Sequence, residues 1–372
     1  MTGKATRAED LGIDVAEVED ALQRNRGLPP HTYYDPNVYE FEAKAIFSNS
    51  WQYFAPLDQL STEGDVVAGL VGNSSVVVTR AKDGELHGFL NICRHRGYPV
   101  VEKEQSRCRV LRCAYHSWSY DLTGNLVGAP DTESETHFDK SDSSLFPVAV
   151  DTWGSLVFVN PDPNAAPLRV THPHMTQWVA EEGLDDSSDR YTYRVGLEVN
   201  QGSNWKLWQD NNYECYHCLT LHSESLSKAF ATKDGDYSLR YTDRMTISHY
   251  KGFEPENSDD LSGGDQLVLH FFPGCSIVQQ NDLMLVLQVI PTGPESCCVR
   301  QHYFIDKGVP EDRFNRWVDL YKQTFNEDGE AAEKQQRNLR TNVGGFQFVY
   351  KREEHSVRML AYTWNAYKAA LA

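Results

Sequence analysis

No stretch of this 372-residue chain approaches the ~20 consecutive apolar residues that a membrane-spanning helix needs. Basic residues are in deficit, 35 Lys and Arg against 53 Asp and Glu, for a formal charge of −18. Nucleic acid is thereby excluded as a partner, because phosphate binding needs the opposite sign. An acidic surface suits the docking of a basic protein instead. Internal repeats and low-complexity tracts are missing. No Gly-x-Gly-x-x-Gly stands between a strand and a helix, so the sequence offers no dinucleotide-binding fingerprint. No secretory leader is recognisable either, so the chain is expected to be cytoplasmic and its thiols reduced. What is present is 40% hydrophobic and 12% aromatic residues, ample for the cores of two domains or one large one.

Metal-ligating side chains concentrate in two stretches. The first reads Cys93-Arg94-His95-Arg96-Gly97 and then Cys113-Ala114-Tyr115-His116. Two close Cys-plus-His pairs, separated by one long excursion, make a set of four ligands. Two thiolates and two imidazoles suit a Rieske [2Fe–2S] centre, with Cys on one iron and His on the other. The neutral imidazoles raise its potential above that of an all-thiolate cluster. A Cys₂His₂ zinc site is the alternative, although zinc fingers pair Cys with Cys and His with His at other spacings. Gly97 and Gly124 are expected in turns that need φ > 0, and Trp118 over the cluster loops.

Taken in order, residues 1–49 form an N-terminal segment with Val38, Phe41, Ala45 and Ile46 on one helical face. Short strands at 65–71, 75–80 and 86–92 deliver Cys93, and a strand at 153–160 closes an all-β domain over 50–165. Residues 166–372 hold strands at 191–201, 245–250, 266–272, 284–290 and 299–304. Helices are expected at 204–222, 310–325 and 352–371. The fold class is α+β, an antiparallel sheet flanked by helices.

The second stretch lies in the 204–222 helix, where His217 and His222 stand five apart. On an ideal helix that is ~140° around the axis. Both can reach one ion only if the helix bends, bulges or ends between them. Two His and a carboxylate form the facial triad of non-haem Fe(II) oxygenases. Cys215-x-x-Cys218 is read as packing, having no second pair to complete a zinc site. His270 is expected to support a strand near the pocket, and His172, His174 and His355 to be surface or satisfied histidines.

Cys-x-His-Arg-Gly, Cys-x-x-His-x-Trp and then Asp121-Leu122-Thr123-Gly124-Asn125-Leu126 resemble the Rieske domain of the Rieske non-haem iron oxygenases. Asn204-Trp205-Lys206, followed by Asp210-Asn211 and Glu214-Cys215-Tyr216-His217-Cys218, resembles their iron-binding helix. One habit of the family is missing, since Arg94 stands where a Pro often separates the first Cys and His. Within the family the chain is most similar to the short-chain branch of carnitine oxygenase, choline monooxygenase and the betaine demethylases, which has Glu at the position of Glu214.

The resemblance implies Cys93, His95, Cys113 and His116 as cluster ligands and His217, His222 and Asp328 as ligands of mononuclear iron. Asp328 lies in Glu327-Asp328-Gly329-Glu330, with Glu327 and Glu330 as runners-up and a helix N-cap as its structural alternative. Glu214 would be the electron bridge from His116 of a neighbouring subunit to His217, with Asp210 supporting the site from behind. A helix-grip catalytic domain, a homotrimer and a separate flavin reductase fed by NAD(P)H are implied, the reductase with or without its own iron–sulfur cluster. The expected reaction is O₂-dependent hydroxylation or N-dealkylation of a small quaternary ammonium compound. Mono- or dioxygenation of an aromatic acid or related ring compound is the alternative. A Rieske carrier without chemistry, or a zinc-stabilised binding module, would leave His217, His222 and Asp328 unexplained.

Overall fold

Alternating apolar residues after Trp51 fold into nine strands, all inside the unit Phe47–Pro173 of the computed structural model. The structure describes residues 6–181, 190–229, 237–250, 261 and 264–371. In this unit β1 (Gln52–Pro56), β2 (Val66–Val71), β3 (Ser74–Arg80), β4 (Leu86–Leu90), β8 (Pro147–Trp153) and β9 (Leu156–Asn160) form one antiparallel sheet, ordered β1-β9-β8-β4-β3-β2. A second sheet of β5 (Leu111–Arg112), β6 (Ser119–Tyr120) and β7 (Leu126–Gly128) carries Cys113. The expected single strand at 153–160 is a hairpin. Gly154 takes φ 53 and turns β8 into β9, and the apolar alternation simply resumes on the far side. Cys93, Cys113, Trp118, Tyr120, Phe89 and Leu122 share one core, and the branched residues of β2, β3 and β9 fill another. Gly124 is required twice over: its φ is 86, and a Cβ there would lie 2.4 Å from the Phe89 ring.

The other unit joins Met1–Ile46 to His174–Ala372. Its sheet is antiparallel throughout. It contains β10 (Tyr191–Gln201), β11 (Tyr237–Tyr241), β12 (Met245–Tyr250), β13 (Gln266–Phe271), β14 (Cys275–Gln280), β15 (Leu283–Gly293) and β16 (Ser296–Asp306). The strands run β10-β16-β15-β14-β13-β12-β11. Two of them, β11 and β14, have no counterpart among the sequence expectations. In β14 buried Ser276, Gln279 and Gln280 interrupt the apolar pattern of a strand.

The helices depart from expectation at their ends. Val15–Gln23, unexpected in a polar segment, is started by Asp14, whose carboxylate accepts from the N–H of Ala16 at 2.9 Å and Glu17 at 3.2 Å. The helix expected to end at Phe325 runs over Glu311–Leu339, because its buried stripe continues through Asp328, Gly329, Ala332 and Gln336. Asp328 is therefore an interior helical residue and not an N-cap. The expected 204–222 helix ends at Asn212, and a separate turn, Cys218–Leu221, follows. Glu214 stands at the break, where its Oε2 takes the N–H groups of Tyr216 and His217, the two residues that precede the new turn. No helix among the described residues is long and apolar enough to cross a membrane.

Candidate metal centres

Two loops of the Phe47–Pro173 unit bring Cys93, His95, Cys113 and His116 together, and the loops are built alike. In the first, Gly97 N–H donates to Cys93 C=O at 2.9 Å and Cys93 N–H to Tyr98 C=O at 2.8 Å. In the second, Ser117 N–H donates to Cys113 C=O at 3.0 Å and Cys113 N–H to Trp118 C=O at 2.9 Å. The fifth residue of each loop is left-handed, Gly97 at φ 75 and Ser117 at φ 60. Both cysteines are buried and both imidazoles are exposed, with ring centroids 4.5 Å apart. The Trp118 indole stacks on His95 at 4.9 Å, and Tyr120 Oη stands 3.4 Å from Cys93 Sγ. Slight desolvation, then the charges of His116 and Arg96, hold His95 below the ordinary histidine range, in the neutral form a metal ligand needs. Arg94 does not loosen its loop: the guanidinium donates to Ser144 C=O at 2.5 Å and Asp142 C=O at 3.1 Å and lies over Phe146. Two buried thiols and two exposed imidazoles fit the donor set of a Rieske [2Fe–2S] cluster.

In the other unit, His217 and His222 bracket the four-residue turn Cys218–Leu221, one at each end. This removes the ~140° mismatch of a continuous helix. His217 Nε2 and His222 Nε2 lie 3.2 Å apart, and Asp328 Oδ1 is 3.4 Å from the first and 3.0 Å from the second. The three side chains offer ligand atoms within 4.8 Å of one another. Each imidazole is tied at Nδ1 to a carboxylate, His217 to Glu214 and His222 to Glu327 at 2.7 Å, which turns both Nε2 atoms to one point. Glu327 is held in turn by the Ser225 hydroxyl at 2.6 Å and Gln323 Nε2 at 3.0 Å. Asn211 Nδ2 donates to Asp328 Oδ1 at 2.7 Å. Burial alone would lower His217, but the Asp328 and Glu214 carboxylates outweigh it and push it up to about 10. Asp328, despite burial, is lowered by the same two histidines. This donor set fits a hard, open-sided divalent ion such as Fe(II).

The remaining residues singled out from sequence fall elsewhere. Glu330 is exposed and pairs with Lys334 at 3.2 Å. Asp210 meets the Tyr33 hydroxyl at 3.3 Å and bonds none of the three ligand side chains. Cys215 and Cys218 are free thiols lining the cavity beside the triad. Tyr213, Tyr250, Tyr321, Phe325, Gln266 and His270 line the same cavity. Sequence reasoning located only His270 of these. Tyr321 and Phe325 were legible in principle, for their i, i+4 spacing extends by three residues to Asp328 on one helical face.

Comparison with known proteins agrees with this geometry. Residues 50–152 match the Rieske [2Fe-2S] domain family and residues 185–370 the ring hydroxylating alpha subunit (catalytic domain) family. The chain is 27% identical to the carnitine monooxygenase oxygenase subunit of Escherichia coli, over 84% of each chain. It is 28% identical to the chloroplastic choline monooxygenase of Arabidopsis thaliana, over 93% of this chain and 85% of that one. The solved quaternary ammonium Rieske monooxygenase CntA superposes with a TM-score of 0.83 at 23% identity, covering 94% of this chain and 98% of that chain. CntA shares the α+β architecture, which comprises an all-β Rieske domain and a sheet-and-helix catalytic domain. This chain belongs to the alpha subunits of the Rieske ring-hydroxylating oxygenases, oxidoreductases that use a [2Fe–2S] cluster and mononuclear iron.

Proposed function

We propose that the chain is the terminal oxygenase of a multicomponent system that oxidises a small quaternary ammonium compound by hydroxylation or N-dealkylation. One observation carries the reading. The cavity beside His217, His222 and Asp328 is lined by the rings of Tyr213, Tyr250, Tyr321 and Phe325 and by two carboxylates, and by no Lys or Arg among the described residues. Aromatic faces attract a cation within about 6 Å, most strongly when water is excluded. Carnitine and choline, named for two of the relatives, are both quaternary ammonium compounds.

When bound, the cluster delivers single electrons and the mononuclear iron activates dioxygen. Cys93, Cys113, His95 and His116 would hold the first group, and His217, His222 and Asp328 would hold the second. Glu214, bonded to His217 Nδ1, is the bridge toward His116 of a neighbouring subunit in a ring of three. Electrons from NAD(P)H enter through a separate flavin reductase of the cytoplasm.

Turnover with a generic reductase, NADH and a panel of carnitine, glycine betaine, choline and benzoates tests the substrate class. Oxygen uptake matched to product from a quaternary ammonium compound is expected. Coupled oxidation of the benzoates alone overturns it.

A further inference from the structure

Ser276 on β14 stands between two nitrogen atoms. Asn212 Nδ2 donates to Ser276 Oγ at 2.8 Å, and the same Oγ lies 2.8 Å from His270 Nδ1. An amide nitrogen only donates and a hydroxyl carries one proton. Ser276 accepts from Asn212; it is 1% exposed, and His270 Nδ1 is the one acceptor its own proton meets among the described residues, so the hydroxyl donates to Nδ1 and the ring proton sits on Nε2. The imidazole is 3% exposed, packed 3.9 Å from the Tyr213 ring and 6.0 Å from that of His355. Burial, then the nearby His355, hold it well below the ordinary histidine range, so it stays neutral. His270 lines the cavity beside the three convergent ligand atoms, and its Nε2 has no hydrogen-bond partner among the described residues. A relay of two side chains thus fixes an N–H on a ring that lines the substrate space.

We propose that His270 Nε2–H reads an oxygen acceptor on the substrate, so that the site selects quaternary ammonium compounds bearing a carboxylate or hydroxyl over plain tetraalkylammonium ions. The proposal rests on the cationic substrate reading and adds what stands at the other end of the molecule. Rejection follows from physics: a ligand without the acceptor leaves a buried donor unpaired, which costs more than a bond made is worth. Asn212 and Ser276 are positioning residues, acting through the tautomer they impose.

Calorimetric titration of the reduced holoenzyme without oxygen tests this with glycine betaine, choline and ethyltrimethylammonium. The last carries the cation and no acceptor. The wild type is expected to prefer the oxygen-bearing ligands by about tenfold or more. His270→Phe should abolish that preference and leave ethyltrimethylammonium affinity within about twofold. Ser276→Ala frees the tautomer and should shrink the preference, while Ser276→Thr, which keeps the hydroxyl, restores it. A preference that survives His270→Phe overturns the proposal. Equal loss of all three ligands in both His270→Phe and Ser276→Ala does too, as a structural role would produce. If the wild type binds none of the three cations but binds benzoate, the cationic reading fails by itself. His270 is then judged on benzoate against toluene, a preference lost in His270→Phe upholding the donor and one retained overturning it.

Discussion

Glu327 and Glu214 stand in the same relation to the two histidines of the triad, each on an Nδ1, yet they differ in what holds them. Glu327 is anchored by Ser225 and Gln323, so His222 has little freedom to turn. Removing such a carboxylate usually costs about 10–100-fold in metal affinity without removing a ligand. Glu327→Ala is therefore expected to lose mononuclear iron on dialysis while the visible spectrum of the cluster persists. Iron analysis against acid-labile sulfide separates the two, and unchanged iron retention would sink the idea. Asp210 makes a different demand. Burial pushes its carboxyl up to about 8, and its Oδ1 has no partner among the described residues. An acid with a raised folded-state pKa binds its proton while the unfolded chain releases it, so stability falls as pH rises from about 4 to about 8. The slope from this group is at most about 1.4 kcal/mol per pH unit. In Asp210→Asn that part of the slope should vanish, as urea midpoints at pH 5, 6, 7 and 8 would show. An unchanged pH profile would mean that Asp210 ionises normally.

Helices set where those side chains begin. Lys206, fully buried near the start of Trp205–Asn212, bonds Glu42 Oε1 at 2.5 Å and Thr32 C=O at 2.9 Å. Glu42 also accepts from Trp205 Nε1 at 2.8 Å and from the Tyr367 hydroxyl, so one carboxylate joins Pro36–Ala45, Trp205–Asn212 and Tyr350–Ala370. Removing one partner strands the other charge in a dry core, at a cost of about 3–5 kcal/mol. Glu42→Ala should lower the denaturation midpoint accordingly, whereas Glu42→Gln, which keeps acceptor and shape, should cost less. Equal losses would show that packing and not charge decides. None of this was legible in the sequence, where Glu42 is one more polar residue on an amphipathic helix. The residues of the two candidate metal centres stood out because few residue types can hold a metal and their spacing is tight. The break at Tyr213 did not, because it lies where a side chain, Glu214, takes backbone N–H groups. Nor did the true length of Glu311–Leu339, whose buried face turns polar just where Asp328 enters the site.

For the molecule as a working unit the open matter is how an electron reaches the triad. The exposed imidazoles of His95 and His116 suit an exit from the cluster at the surface, and Glu214, with a side chain 9% exposed on His217, suits an entrance. Closed rings put unlike patches of identical subunits in contact, so exit and entrance can belong to different copies. Complementation separates this from a path within one copy. His116→Ala disables the exit and His217→Ala removes an iron ligand, and each homo-oligomer should be inactive. Refolded together in equal amounts, the two variants place an intact cluster domain beside an intact iron site at about one junction in four, if each subunit serves only its neighbour. Activity should then return to about a quarter of the wild-type value. If every electron stayed within its own chain, no mixed assembly could work, because each variant lacks half of the path. Silence in the mixture, with mixed oligomers verified by mass spectrometry and both metals present, would overturn transfer between subunits.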